Sequence, residues 1–292
     1  MNRTTKGLLA IIACATLWSM GGLFIKMVDW HPMVIAGSRS LIAAIFMLTI
    51  RLITSRKERL STASPVFPTN FGALWGAALM NAATMLIFVA ANKLTTAANV
   101  ILLQYSAPIY AAIFGWILVK EKPKKEHWVA LGALAVGFYV FFKDGISAGS
   151  FIGDGLALVS GVTFALFSVF MRMQKDGHPE DSILLSHLIA AAIGLPFAFI
   201  APPVFSFTAV SGILILGLVQ IGAASLLFAY GIRRVPAVQA MLAAVVEPVL
   251  NPVWVFLVTG EQPAASALAG GAIILAAVTG SSIASTRRSV KE

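Results

Sequence analysis

The chain alternates long apolar runs with short polar punctuation. Runs of spanning length fall at 7–28, 32–54, 70–92, 95–119, 126–143, 151–174, 181–201, 207–231, 235–258 and 264–285. A helix rises about 1.5 Å per residue, so about 17–25 apolar residues cross the hydrocarbon core. The pattern therefore predicts ten transmembrane helices. Only Lys93-Leu94 separates the third run from the fourth. The widest polar gap, Arg56–Asn70, is too short for a soluble domain.

Composition agrees with the pattern. The 292 residues are 59% hydrophobic and 11% charged, with mean hydropathy +0.89. Soluble domains carry about 25% charged residues. The expected fold class is an all-α polytopic membrane protein, its main surroundings the lipid bilayer. Cys14 is the only cysteine, which rules out an intrachain disulfide. Ala13-Cys14-Ala15 loosely mimics a signal-cleavage site, but the apolar run continues to Val28. The segment is read as a retained first helix.

The net charge of +9 does not call for a nucleic-acid partner, because the basic residues serve as loop anchors. With the N-terminus inside, Lys26, Lys93 and Lys143 fall on the outer side and Arg39 inside the second helix, leaving 17 of the 21 Lys and Arg in cytoplasmic positions. That bias supports ten spans with both termini cytoplasmic.

The halves resemble each other. At an offset of 140, Lys93 matches Arg233, Ala97 matches Ala237, Asn99 matches Gln239, Pro108 matches Pro248, and Glu121-Lys122-Pro123 matches Glu261-Gln262-Pro263. Nearer the start of each half the offset is 146–147, where Lys26-Met27 matches Arg172-Met173 and His31-Pro32 matches His178-Pro179. The reading is a first five-helix repeat over 1–145 and a second over 146–292. Five is odd, so the second copy enters the membrane inverted. Inverted repeats are a hallmark of secondary transporters, whose sites lie near the midplane where the repeats meet.

Several motifs carry a family resemblance: Ala15-Thr16-Leu17-Trp18-Ser19 with Lys26, Tyr105-Ser106-Ala107-Pro108, Lys120-Glu121-Lys122-Pro123, Val246-Glu247-Pro248-Val249 and Gly260-Glu261-Gln262-Pro263. Over essentially its whole length the chain resembles the ten-helix, EamA-type exporters of the drug/metabolite transporter superfamily. Within them it is most similar to bacterial exporters of amino acids, including aromatic ones. The resemblance implies a multi-pass protein of the bacterial inner membrane, exporting an amino acid or a related small metabolite.

Glu247 is the outstanding candidate residue, an acid in mid-membrane followed by Pro248 and Pro252. A charge there costs roughly 2.5–3.5 kcal/mol on insertion scales. Each proline frees the carbonyl four residues back: Ala244 for Pro248, Pro248 for Pro252. Glu247 and Asn251 share a helical face. Two readings stand side by side. Glu247 contacts cargo or protons, or it is neutral and braces the loosened helix. Pro108, Pro248 and Pro252 are the candidate hinges.

The fourth helix offers a polar face of Thr95, Asn99, Ser106 and Tyr110. Only Asn99 and Gln239 stay polar in both repeats, as a hydrogen-bonding pair for a zwitterion or as an interhelical contact. Trp18 and Phe164 match across the repeat and, with Tyr105 and Phe88, supply an aromatic lining or ordinary packing. Asn81, Thr84, Met85 and Phe88 share a face of the third helix, and Ser225 is the repeat partner of Met85. Arg39 is read as lateral, snorkelling outward, pairing with Asp29 or touching a lipid phosphate, with a transport role as the lesser reading; His187 reads as structural. Trp30, Trp128 and Tyr139 are expected interface anchors. Gly132, Gly137, Gly270, Gly271 and Gly280 permit close helix approach, either in a homodimer or within one chain.

No cofactor is called for. There is no P-loop for ATP, and His178 is too isolated for a metal site. The leading reading is a secondary exporter of neutral or aromatic amino acids or related metabolites. Its rivals are a multidrug exporter of lipophilic compounds and an intramembrane enzyme, which would need a nucleophile–base pair at one depth.

Overall fold

The computed structural model describes residues 2–58, 70–95, 97–142, 151–259 and 265–289. The helices follow ten passages. The second, third, fifth, sixth and tenth are single helices: Pro32–Glu58, Phe71–Leu94, Lys125–Phe142, Phe151–Met173 and Ala265–Ser289. The other five are assembled from shorter pieces. Among the described residues, six stretches are long and apolar enough to cross a bilayer: Arg3–Met27, Pro32–Ile53, Phe71–Leu94, Phe151–Met173, Pro179–Ile200 and Phe207–Ile232. Large apolar side chains such as Ile45, Leu52, Trp116, Val129 and Phe199 are exposed on the outside, as expected of a lipid-facing surface.

The boundary between the third and fourth passages falls where Lys93-Leu94 placed it. Asn70 caps the third helix by accepting from the Ala73 N–H, and extended backbone at Thr95 ends it.

Packing follows a pseudo-two-fold pattern. The third passage packs on the sixth, and their repeat mates, the eighth and the first, pack on each other. The second packs on the seventh, the fifth on the tenth, and the fourth on the ninth. Exchanging the two halves maps each pair onto itself or onto its counterpart. Among the glycines, Gly137 serves packing within the chain: a Cβ there would sit 2.7 Å from the Ile274 side chain of the tenth passage. Gly132 and Gly280 face open space.

The repeat also sets where helices break. The fourth passage breaks between Ala97–Gln104 and Ala107–Phe114, and the ninth between Ala237–Ala244 and Val246–Thr259. The first pieces match at the offset of 140. Pro108 and Pro248 therefore lie in the first turn of a new helix, where a residue without an N–H is tolerated. The backbone of Pro252 continues that helix, while the side chains of Pro252 and Asn251, with Glu261-Gln262-Pro263, lie outside the described residues. The first passage also breaks, between Arg3–Trp18 and Gly21–Met27.

Candidate functional site

A cavity of about 70 Å³ opens where these breaks meet. A single water needs roughly 10–15 Å³ on this measure, so there is room for more than one solvent molecule. The lining comes from both halves: Trp18, Arg39, Asn81, Thr84, Met85, Phe88 and Gln104 from the first, Phe164, Gln220, Ile221 and Glu247 from the second.

Its aromatic wall is built at the break in the first passage. The Trp18 ring stands edge-on to Phe164, with centroids 5.4 Å apart and planes at 70°. Phe228, the repeat mate of Phe88, also lies 5.4 Å from the Trp18 ring. Ser19, just beyond, donates to the Thr16 carbonyl at 2.6 Å and accepts from Trp254 Nε1 at 2.6 Å. This ties the C-terminal half of the ninth passage to the broken first.

The acid is held from the opposite break. Tyr105 Oη lies 2.6 Å from Glu247 Oε2 and donates to the Ala244 carbonyl at 2.7 Å. That carbonyl is the one Pro248 leaves without its helical partner. Tyr105 thus braces both features singled out in the ninth passage, and does not itself line the cavity. Gln104, one residue earlier, does. Gly161 of the sixth passage lets this break approach closely, since a Cβ there would sit 2.8 Å from the Gln104 carbonyl oxygen.

Asn81, Thr84, Phe88, Trp18, Phe164 and Glu247, all singled out in the sequence, meet around one space. Asn81 Nδ2 donates to Ser186 Oγ at 2.7 Å, and the hydroxyls of Thr84 and Thr163 are 2.7 Å apart.

Other expectations are corrected. Asn99 and Gln239 do not form a pair at the cavity. Asn99 Nδ2 donates to Asp154 Oδ1 at 3.2 Å, and Thr95 Oγ1 donates to the same oxygen at 2.8 Å. The break at Tyr105-Ser106 interrupts the proposed polar face, so Thr95 and Asn99 turn to the sixth helix. Gln239 is buried away from the cavity. Ser225 is 3.2 Å from His187 Nε2, and neither lines the cavity. A hydroxyl and an imidazole at that spacing resemble a nucleophile and its base, but both are sealed in the core at 4% and 0% exposure, and His187 Nδ1 has no partner among the described residues to orient it. Trp30 is 9% exposed, its Nε1 donating to the Val204 carbonyl at 2.8 Å; the segment before the eighth passage covers it. Trp128 and Tyr139 are exposed at helix ends.

Arg39 is the largest correction. It is 2% exposed and lines the cavity. Its Nη1 donates to Gln220 Oε1 at 3.2 Å and its Nη2 to the Met85 carbonyl at 3.4 Å. Gln220 Nε2 in turn donates to the Trp18 carbonyl at 3.3 Å. Gln220 sits in a π-helical stretch, Ile215–Ala223, a distortion frequent at functional sites. Gln104 and Gln220 could have been found as lone amides inside apolar runs. Their repeat mates, Ala244 and Met80, are apolar, so a search for polarity shared by both halves passes over them.

Broken helices from two repeats, meeting around a cavity with a few polar groups, define a polytopic membrane transporter. The chain belongs to the EamA-like transporter family, whose profile matches twice, over residues 5–143 and 151–283. It is a transporter and not an enzyme. It is 29% identical over 206 residues to an uncharacterized transporter of Archaeoglobus fulgidus, covering 70% of this chain and 74% of the relative. To the uncharacterized transporter YwfM of Bacillus subtilis it is 26% identical over 194 residues, 65% of this chain and 66% of the relative. A solved crystal structure of a protein at 17% identity superposes with a TM-score of 0.78, covering 96% of this chain and 99% of that one. It shares the fold.

Proposed function

We propose that this transporter is a secondary exporter of neutral or aromatic amino acids, or closely related small metabolites, working by alternating access across a bacterial inner membrane with both termini cytoplasmic. The observation that carries this reading is the cavity itself. It joins an aromatic wall, Trp18 against Phe164, to polar side chains from both repeats, a combination suited to an apolar body with a polar head. Pro108 and Pro248 start helices beside the cavity and serve as its hinges.

Export of lipophilic cations calls for an acid free to meet the cargo. Glu247 instead has a short contact to Tyr105, and a cation, Arg39, lines the same cavity. Both disfavour that rival. The decisive measurement is counterflow in liposomes containing the purified full chain. Radiolabelled tryptophan or phenylalanine is expected to accumulate against unlabelled amino acid trapped inside. Exchange of a lipophilic cation with none of any amino acid would overturn the reading.

A further inference from the structure

Arg39 is a buried cation with no counter-charge among the described residues. Among the described residues no carboxylate lies within ion-pair distance of it. A guanidinium offers five N–H donors. Two bonds are made, both long, to an amide oxygen and a carbonyl. Its Nε, also buried, has no hydrogen-bond partner among the described residues. Burying a charge is costly unless it is paired and hydrogen-bonded, and intramembrane charges face the bundle interior or a water-filled cavity and mark substrate pathways. Arg39 lies on the wall of such a cavity.

The cavity does not supply the missing anion. Among the described residues Glu247 is the only acid on its wall, and its Oε2 is engaged by Tyr105. Arg39 is nonetheless held in place. Gln220 accepts from one end of the guanidinium while anchored to the Trp18 carbonyl, so the cation is fixed relative to the aromatic wall.

We propose that Arg39 binds the carboxylate of the cargo, and that the site selects molecules combining a carboxylate with an apolar body. The fork geometry of a guanidinium favours a planar carboxylate, with two parallel N–H···O bonds. The proposal rests on the reading of this cavity as the cargo site and narrows it, since amines lacking an acid are excluded from the cargo.

The test is equilibrium binding to the purified full chain by isothermal titration calorimetry. The ligands are alanine, leucine and phenylalanine, each beside its carboxamide, with 3-phenylpropionate beside phenethylamine. At least one acid is expected to bind about ten-fold or more tighter than its carboxyl-free partner, the size of a charge-assisted hydrogen bond lost. Arg39→Gln should remove that difference, and Arg39→Lys should restore part of it. Equal affinity for an acid and its amide, or an Arg39→Gln protein that keeps the preference, overturns the proposal, as does binding of no acid in the set. The matched ligands on the unaltered protein decide even where a variant fails to fold. Arg39-dependent binding of a carboxylate without counterflow of aromatic amino acids would leave this inference standing and remove the cargo reading. Counterflow that treats phenylalanine and its amide alike would do the reverse.

Discussion

The hydroxyl of Tyr105 joins the two helix breaks of the repeat by meeting Glu247 Oε2 at 2.6 Å and the Ala244 carbonyl at 2.7 Å. One hydroxyl proton serves two acceptors only as a shared, weaker three-centre bond. Both contacts become hydrogen bonds when Glu247 carries a proton and donates it to Tyr105 Oη, which then donates to Ala244. The arrangement favours a neutral acid that braces the break.

From this follows a separation between substitutions at one position. Glu247→Gln keeps a donor toward Tyr105 and should give a stable protein with measurable counterflow. Glu247→Ala and Tyr105→Phe remove members of the chain. Leaving a buried group unpaired costs about 1–3 kcal/mol, so both should express less and melt earlier. A stable Gln variant without counterflow would make the ionised acid a part of transport.

Trp18 forms the aromatic wall with Phe164 at 5.4 Å. Trp18→Ala should reduce efflux of tryptophan or phenylalanine several-fold more than efflux of alanine, because burial against an aromatic face scales with the apolar area of the cargo. Competitive efflux from cells carrying each variant measures the ratio. Equal losses for large and small amino acids would reduce Trp18 to packing.

Gly161 faces the Gln104 carbonyl oxygen so closely that an added Cβ would lie 2.8 Å from it. Its neighbour is backbone, at the break beside the cavity, and cannot rotate away. Gly161→Ala should destabilise by about 1–3 kcal/mol, the usual scale of overpacking, seen as a lower melting temperature in detergent. An unchanged melting temperature would show that the sixth helix can withdraw without penalty.

Topology is open to labelling. Cys14 is fully buried, and a Cys14→Ala background removes it. Asp176 and Ser206 are exposed in the turns that flank the seventh passage, on opposite sides of the expected bilayer. Ser206→Cys should react with an impermeant maleimide added to intact cells, and Asp176→Cys only after lysis. The opposite result would invert the orientation drawn from the basic residues.

The helices were legible in the sequence because lipid imposes a simple rule: the apolar runs must be long enough to cross, and nearly all the basic residues gather on one side. The paired breaks were legible as well, through the proline pair and the offset of 140. Arg39 was not. A lone charge in an apolar run has two physical solutions, outward to the headgroups or inward to a cavity. Choosing between them requires knowing that the eighth passage places Gln220 against the second. Asn99 and Gln239 misled for the converse reason. They satisfy the repeat symmetry, whereas the cavity is asymmetric, with its cation in one half and its acid in the other.

The bond between Arg39 and Gln220 spans 181 positions of sequence, and this bears on how the chain is made. Synthesis delivers the second helix to the membrane long before the eighth exists. During that interval the guanidinium lacks both its amide acceptor and the wall that keeps it from lipid. Tyr105 waits in the same way for Glu247. The first five helices are therefore an unfinished product that the later ones complete, and a chain severed near residue 146 should accumulate only when both fragments are produced together.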